Sequence, residues 1–361
     1  MSGFVLLALL APAAEPEFAG KPLSAWAKQL KEDDTPRRRR AAALALGQIG
    51  TSHPESLTVV LPALGTAVRQ DASPDVRRQA VAGIAQQKPD DSTAAVPDLT
   101  EGLRAEKDAG VRLELATALG RFGPAAAPAL TPLTDCLPDA DAKLRAAAAS
   151  ALGRIGAEAS AAAPALLARL TDTDSAVKRE AVAAVSRVRP AEPAPVAAAL
   201  VQLLATADLT LRRAVLESLG RLADPGADTV TAVAGELAHA DADVRVTAVQ
   251  TLSRFGPAAR PVADRLTTAF KSDSTTRVRE AAARSLATTW QAEPMKVFGP
   301  FIDRLSSDSA VEVRVAIADL LGGFGPAAVQ AAPALRRARS DSDPRVRLAA
   351  TEALRRVEPK S

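Results

Sequence analysis

The chain has 361 residues, 47% of them hydrophobic, which is long and apolar enough to bury a large core and excludes a disordered chain. Its 45 Lys and Arg against 42 Asp and Glu leave a net charge of +3, a nearly balanced surface that does not demand nucleic acid as a partner. With 3% aromatic residues, no Tyr and two Trp, few rings are on hand to stack bases or enclose a cation, and the single Cys136 excludes an intramolecular disulfide and a cysteine-rich metal site.

The chain opens on MSGFVLLALLAPAAEPEF. An apolar run from Phe4 to Ala11 leads into small residues at Ala11, Ala13 and Ala14 before Glu15, the layout of a short secretory signal cleaved near Ala13 or Ala14. No Lys or Arg precedes the run, no cysteine follows it for a lipid anchor, and it falls far short of the roughly 18 residues that span a bilayer. The expectation is a leader over 1–14 and an exported mature chain over 15–361; a cytoplasmic chain whose first segment caps the fold is the alternative. Next, KPLSAWAKQL at 21–30 sets Leu23, Trp26 and Leu30 at helical spacing, which predicts a first helix with Trp26 closing the N-terminal end.

From there one pattern recurs. DAKLRAAAASALGRIG at 141–156 shows its skeleton, an apolar residue followed by a base and then small and apolar residues at fixed offsets. The bases are Arg39, Arg77, Arg112, Arg145, Lys178, Arg212, Arg245, Arg279, Arg314 and Arg347, spaced 33–38 residues apart, so residues 15–361 read as one array of about ten stacked units. In the fourth unit Leu144, Ala148, Leu152 and Ile155 draw a single apolar stripe along a helix, here called B. A second apolar stretch lies upstream in each unit, as in APALLARL at 163–170 or TAVAGELA at 231–238, and predicts an antiparallel partner helix, A. The punctuation agrees. Asp139/Asp141, Asp172/Asp174, Asp241/Asp243 and Asp341/Asp343 offer acceptors to the free N–H groups that begin helix B, and Pro36, Pro74 and Pro344 sit near the first helical position. Gly-Pro at 123–124, 256–257 and 325–326 ends one B helix and opens the next A helix, and no strand-like alternation competes.

The unit, roughly D-x-D-x-x-V-R-x-x-A-x-x-A-L-G-R-I-G-P after an A helix, resembles the short bacterial HEAT repeat of phycobilisome-lyase-like HEAT proteins, over about residues 21–361. Tetratricopeptide units need a Tyr that this chain lacks, and the T-P-L-H of ankyrin units is absent. The resemblance implies an all-α fold, a right-handed α-solenoid (superhelix) of about ten helix pairs, with A helices on the convex side and B helices lining the concave side. The function expected by analogy is a non-enzymatic scaffold or adaptor that presents its B-helix surface to a protein or peptide partner. A monomer is expected.

Two rows of bases are candidate sites. The anchor bases Arg112, Arg145, Lys178, Arg212, Arg245, Arg279, Arg314 and Arg347 form either a structural ladder, each paired with aspartates of its own or a neighbouring A–B turn, or a basic binding ladder; nearby acid in every unit favours structure. Ten residues after the anchor hydrophobe lie Arg121, Arg154, Arg187, Arg221 and Arg254, and again Arg356. A base there complements the helix dipole, or the five consecutive arginines form a partner-binding groove for carboxylates or phosphates, with a polyanion or nucleic acid as the alternative partner. Outward positions vary freely, as in Arg78/Gln79/Ala82 or Val246/Thr247/Gln250. Trp290, Phe298 and Phe301 either line a pocket or fill a gap left by the irregular SLATTW at 285–290.

Enzyme chemistry finds little support. His53 and His239 lie in distant units without companion ligands, and Cys136 falls in an A helix. Deoxyhypusine hydroxylase is similar in its HEAT-type repeats, but its iron site needs His-Glu dipeptides, and here His53 precedes Pro54 and His239 precedes Ala240. Bilin lyase activity is likewise implied only by repeat resemblance. SAVK at 175–178 matches S-x-x-K by letters alone, and no P-loop, dinucleotide fingerprint or G-x-S-x-G occurs. No catalytic residue, metal or cofactor is expected.

Overall fold

In a computed structural model the amphipathic stripes pair as helical hairpins over the described residues, 15–222 and 225–358. The expected leader at 1–14 lies outside the described residues. The chain divides into two compact units between Ala165 and Leu166. In the first, A and B helices alternate as Leu23–Glu32 and Pro36–Ser52, Leu57–Gln70 and Pro74–Ala85, Val96–Ala105 and Ala109–Arg121, then Leu130–Asp135 and Ala142–Ile155. In the second, Ser175–Arg187 is the first B helix, followed by the pairs Pro193–Leu204 and Leu209–Leu219, Gly226–Gly235 and Ala242–Phe255, Ala263–Ser272 and Thr276–Thr289, Met295–Ser307 and Val311–Gly323, and Ala332–Ala338 and Pro344–Val357. The fold is an all-α solenoid.

The start departs from the expected plan. Before the first helix, Glu17–Phe18 and Lys21–Pro22 pair as a two-residue antiparallel hairpin, turned by Ala19 and Gly20, both at positive φ. Two residues per strand leave no alternation to read. Trp26 hydrogen-bonds through Nε1 to the Phe18 carbonyl at 3.0 Å, and the Lys21 ammonium sits 4.3 Å over its ring, so the hairpin is fastened to the first helix through this tryptophan.

From the second B helix on, each anchor hydrophobe is buried, whereas in the first the residue before Arg39 is the exposed Arg38. Val76, Val111, Leu144, Val177, Val244, Val278, Val313 and Val346 are wholly buried. Successive B helices also approach very closely at the glycine of the A-L-G step. A Cβ on Gly47 would lie 2.8 Å from the Gly83 Cα, and one on Gly322 would lie 2.9 Å from the Ala353 Cα. The obstacle is backbone in both cases and cannot swing aside. We therefore expect Gly47→Val to cost about 1–3 kcal/mol through forced separation of the first two B helices, measurable by urea unfolding; an unchanged midpoint would contradict this packing. In the second unit the same contact line carries hydroxyls. Ser218 Oγ donates to the Val182 carbonyl at 2.7 Å and Thr251 Oγ1 to the Leu216 carbonyl at 2.9 Å, which pins the register of neighbouring B helices.

The A helices that follow Gly-Pro or Gly-Ala start as a tight turn rather than as α-helix. Gly123, Gly156, Gly256 and Gly325 take positive φ, and a seven-residue 3-10 segment begins at each. The irregular eighth unit is filled by aromatics. Phe298 and Phe301 are wholly buried, and T-shaped pairs join Phe270 to Phe301 and Phe298 to Phe324, each at 5.4 Å between ring centres. Trp290 is half-buried, with the Arg260 guanidinium 5.2 Å from its ring centre. Phe298 and Phe301 are therefore packing rather than the lining of an open surface.

Candidate functional site

The anchor bases lie in the first turn of each B helix, where a long side chain reaches both its own A–B turn and the next one. Arg245 shows the geometry. Its Nε and Nη2 donate to the two oxygens of Asp273 at 2.7 and 3.0 Å, while Nη1 donates to the His239 and Ala240 carbonyls at 2.9 and 3.0 Å. The same two-pronged grip joins Arg39 to Asp71, Arg77 to Glu106, Arg279 to Asp308 and Arg314 to Asp341. Arg112 grips Asp139 and comes within 3.6 Å of the Cys136 sulfur. Arg145 and Arg347 hold the carbonyls of their own turns, Asp139 and Ala140 in one case and Asp341 and Ser342 in the other.

Each gripped acid also closes its own turn. Asp139, Asp273, Asp308 and Asp341 accept the backbone N–H two residues on, at 2.8–2.9 Å. The two aspartates of a D-x-D step therefore divide the labour. Asp139 and Asp341 hold arginine, while Asp141 and Asp343 cap the B helix. The step at Asp241/Asp243 is shifted: Asp241 is the cap, and Asp243 is exposed, within 3.2 Å of Arg277.

The shift has a visible cause. Two residues before the cap, where other units carry the acid, stand Thr206 and His239. His239 Nδ1 accepts the Asp241 N–H at 3.0 Å, taking over the carboxylate's turn-closing role. Arg212 then reaches instead to Glu236, at 2.7 Å, whose second oxygen is buried without a partner among the described residues. At Thr206 nothing replaces the acid, and Lys178 makes no ion pair among the described residues.

The ladder makes stability pH-dependent. Burial alone would raise the Asp308 carboxyl, but hydrogen bonds from Arg279, the Ala310 N–H and Arg304 outweigh it and hold the group below its ordinary value. For Asp341 the Arg314 hydrogen bonds dominate, and Asp139, Asp273 and Glu106 are lowered too, against the opposing effect of burial. A carboxyl depressed on folding contributes stability that is intact above its unfolded value, about 3.9 for Asp, and is lost as the pH falls through the lower folded value. We expect the urea midpoint to be flat from pH 7 to about pH 5 and to fall steeply below about pH 4; a flat response down to pH 3 would show the pairs to be energetically idle.

With the anchor bases other than Lys178 engaged, the remaining basic row stands apart. Arg121, Arg154, Arg187, Arg221 and Arg254 are all exposed near the ends of their B helices. Among the described residues, Arg121, Arg154, Arg187 and Arg254 form no ion pair, and Arg221 has only Glu217 of its own helix at 3.5 Å. Side chains at this register reach the preceding unit. Gln48 and Gln86, which hold the position in the first two units, are hydrogen-bonded at 3.3 Å, and Arg254 lies across Gly220, where a Cβ would meet its Cδ and Nη1 at 3.2 Å. Arg121 and Arg154 belong to the first unit, and Arg187, Arg221 and Arg254 to the second.

In one unit the outward face is narrower than the spacing predicts. Thr117, Glu217, Gln250 and Arg284 are exposed six residues past the anchor hydrophobe, but Val246 and Thr247 are buried. Their burial leaves no polar group wanting, since Thr247 Oγ1 donates to the Asp243 carbonyl at 2.7 Å. Cys136 is buried at the end of an A helix, and burial pushes its thiol up despite Arg112 nearby. Among the described residues no three His, Cys, Asp or Glu converge as metal ligands, and no helix is long and apolar enough to cross a membrane.

This architecture defines a class, the α-solenoid of stacked helical hairpins with a repeated arginine grip. A model of HEAT repeats matches residues 61–140, 130–208, 197–287 and 299–361, and a PBS lyase HEAT-like repeat model matches 38–67. The chain belongs to the HEAT-repeat family. No curated protein matches it by sequence. Among solved structures it is similar to the karyopherin Kap121p bound to the extreme C-terminus of the protein phosphatase Cdc14p, with TM-score 0.55 and 15% identity over 93% of this chain and 41% of that one. It is also similar to Kap95p, whose binding induces the switch loops of RanGDP to adopt the GTP-bound conformation, with TM-score 0.58 and 14% identity over 93% of this chain and 50% of that one. The chain spans half or less of the length of these structures, and the likeness is one of fold.

Proposed function

We propose that the protein is a non-enzymatic scaffold that presents the exposed face of its B helices to a protein or peptide partner. The observation that supports this reading is the contrast between the two basic rows. Most anchor arginines are engaged by acids or turn carbonyls, whereas the outer row is solvent-facing and largely unpaired, beside positions that differ from unit to unit. A row of that kind adds nothing to the core, and stacked repeats turn it into an extended surface on which many weak contacts sum. The karyopherin structures, which share the fold, include complexes with protein segments, such as the C-terminus of Cdc14p.

The test is site-specific photo-cross-linking in native extract. A cross-linker at Gln250 or Glu217, both exposed on B helices, should recover one and the same protein, and one at Lys271, exposed on an A helix, should not. Recovery from Lys271 alone would move the partner to the other face and overturn the proposal.

A further inference from the structure

The scaffold reading leaves the partner's chemistry open, and the present inference rests on that reading. Arg187, Arg221 and Arg254 occupy one register at the ends of three successive B helices of the second unit. A base at a helix C-terminus complements the dipole, but Lys would serve that purpose as well as Arg. Nor are these guanidiniums turned onto the helix ends: among the described residues none of the three donates a side-chain hydrogen bond to a carbonyl, and Arg254 instead lies back across Gly220 of the preceding repeat. Arg187 and Arg254 are thus left without an ion-pair partner among the described residues, and an anionic ligand would supply one.

The geometry of stacking selects the ligand's backbone. Packed helix axes are about 8–10 Å apart, so the guanidinium row repeats at roughly that interval. A polyproline II chain advances 3.1 Å per residue and returns to the same face every third residue, about 9.3 Å along. An extended strand returns to the same face every two residues, after only about 6.8 Å, and falls out of step with the row. The guanidinium fork matches a carboxylate with two parallel hydrogen bonds. Glu217, which pairs with Arg221 at 3.5 Å, and Glu180 lie four and seven residues back along their helices and repel a second line of negative charge, so the surface favours a single file of anions over a broad polyanion. Among the described residues no exposed aromatic accompanies it: Phe255, next to Arg254, is buried, which removes the stacking platform that single-stranded nucleic acid uses.

We propose that the Arg187–Arg221–Arg254 row binds an acidic peptide segment in the polyproline II conformation, with a carboxylate at every third residue.

The test uses the full chain and a fluorescein-labelled peptide of five Glu-Pro-Pro repeats, followed by fluorescence anisotropy. Comparison peptides carry Gln in place of Glu, or the same composition with the five Glu residues contiguous; a single-stranded oligothymidylate of matched length is the nucleic-acid control. The patterned peptide should bind at least about tenfold more tightly than either comparison peptide, and the R187Q/R221Q/R254Q variant should lose that margin with its thermal unfolding unchanged. The R336Q/R337Q variant, altered on an A helix, should bind like the parent. Equal affinity for patterned and contiguous glutamates, or tighter binding of the oligonucleotide, would overturn the proposal in favour of a general polyanion surface. Cross-linking from Gln250 separates the two readings: if it recovers a partner while the peptides show no dependence on spacing, the scaffold stands and the carboxylate register falls.

Discussion

Asp308→Ala is expected to destabilise the second unit by about 3–5 kcal/mol. The Asp308 side chain is wholly buried and accepts the two-pronged grip of Arg279 at 3.0 and 2.9 Å, a hydrogen bond from Arg304 and the Ala310 N–H at 2.9 Å. Arg279 itself retains 7% side-chain exposure, so removing the carboxylate strands a cation where water does not reach it. That stranded charge, more than the lost attraction, is the cost. Replacing both partners, R279M with D308A, should therefore recover a good part of the loss, because no charge is left buried without its mate. The measurement is urea unfolding followed by circular dichroism, with hydrogen exchange to localise the effect. Faster exchange should concentrate in Thr276–Thr289 and Val311–Gly323, the B helices that the pair joins. A loss below about 1 kcal/mol would place the ladder among ordinary surface ion pairs.

The ladder also shows how far residue patterns carry. The period and the apolar stripe placed every B helix, because a buried anchor such as Val244 and a small residue four further on must recur wherever the same interface recurs. The A helices were less legible. In four units the seven residues that begin at the glycine wind as 3-10 turns, and Ala-Pro-rich text such as GPAAAPA suits either winding. The pairing partner was legible only as a choice. Asp139 and Asp141 carry the same carboxylate, and which one meets Arg112 is decided by the turn, two residues before the cap. Once that offset is known, the exceptions at Thr206 and His239 can be read straight from the letters. The outer arginines were visible by position, but their lack of partners was not: exposure and pairing depend on where neighbouring side chains lie, as the salt bridge of Arg221 with Glu217 and the free Arg254 show. The Trp26 fastening escaped periodicity altogether, since it joins a ring to a carbonyl across a turn too short to have any.

Val244→Asp tests the register on which the array depends, and its expected cost is about 4 kcal/mol or more. Val244 is wholly buried in the first turn of Ala242–Phe255, with its N–H already held at 3.0 Å by the Asp241 cap. A carboxylate at this site loses the apolar burial of valine, about 1.5–3 kcal/mol, and must either remain charged away from water or take up a proton, and each route is costly. Arg245 next to it offers no rescue, because its guanidinium is committed to Asp273 and to two turn carbonyls, and diverting it would break the link to the next repeat. Gln250→Asp places the same charge on the same helix at an exposed position and should change stability by no more than about 0.5 kcal/mol. Because neighbouring repeats stabilise one another, the V244D defect should spread first to the B helices that pack on either side, Leu209–Leu219 and Thr276–Thr289, while the pair Ala332–Ala338 and Pro344–Val357 keeps its protection longest. Native-state hydrogen exchange reads that gradient directly. Equal stability of the V244D and Q250D variants would show that the stripe had been assigned to the wrong face; uniform loss of protection across the second unit would show that its repeats fold as one block rather than as coupled neighbours.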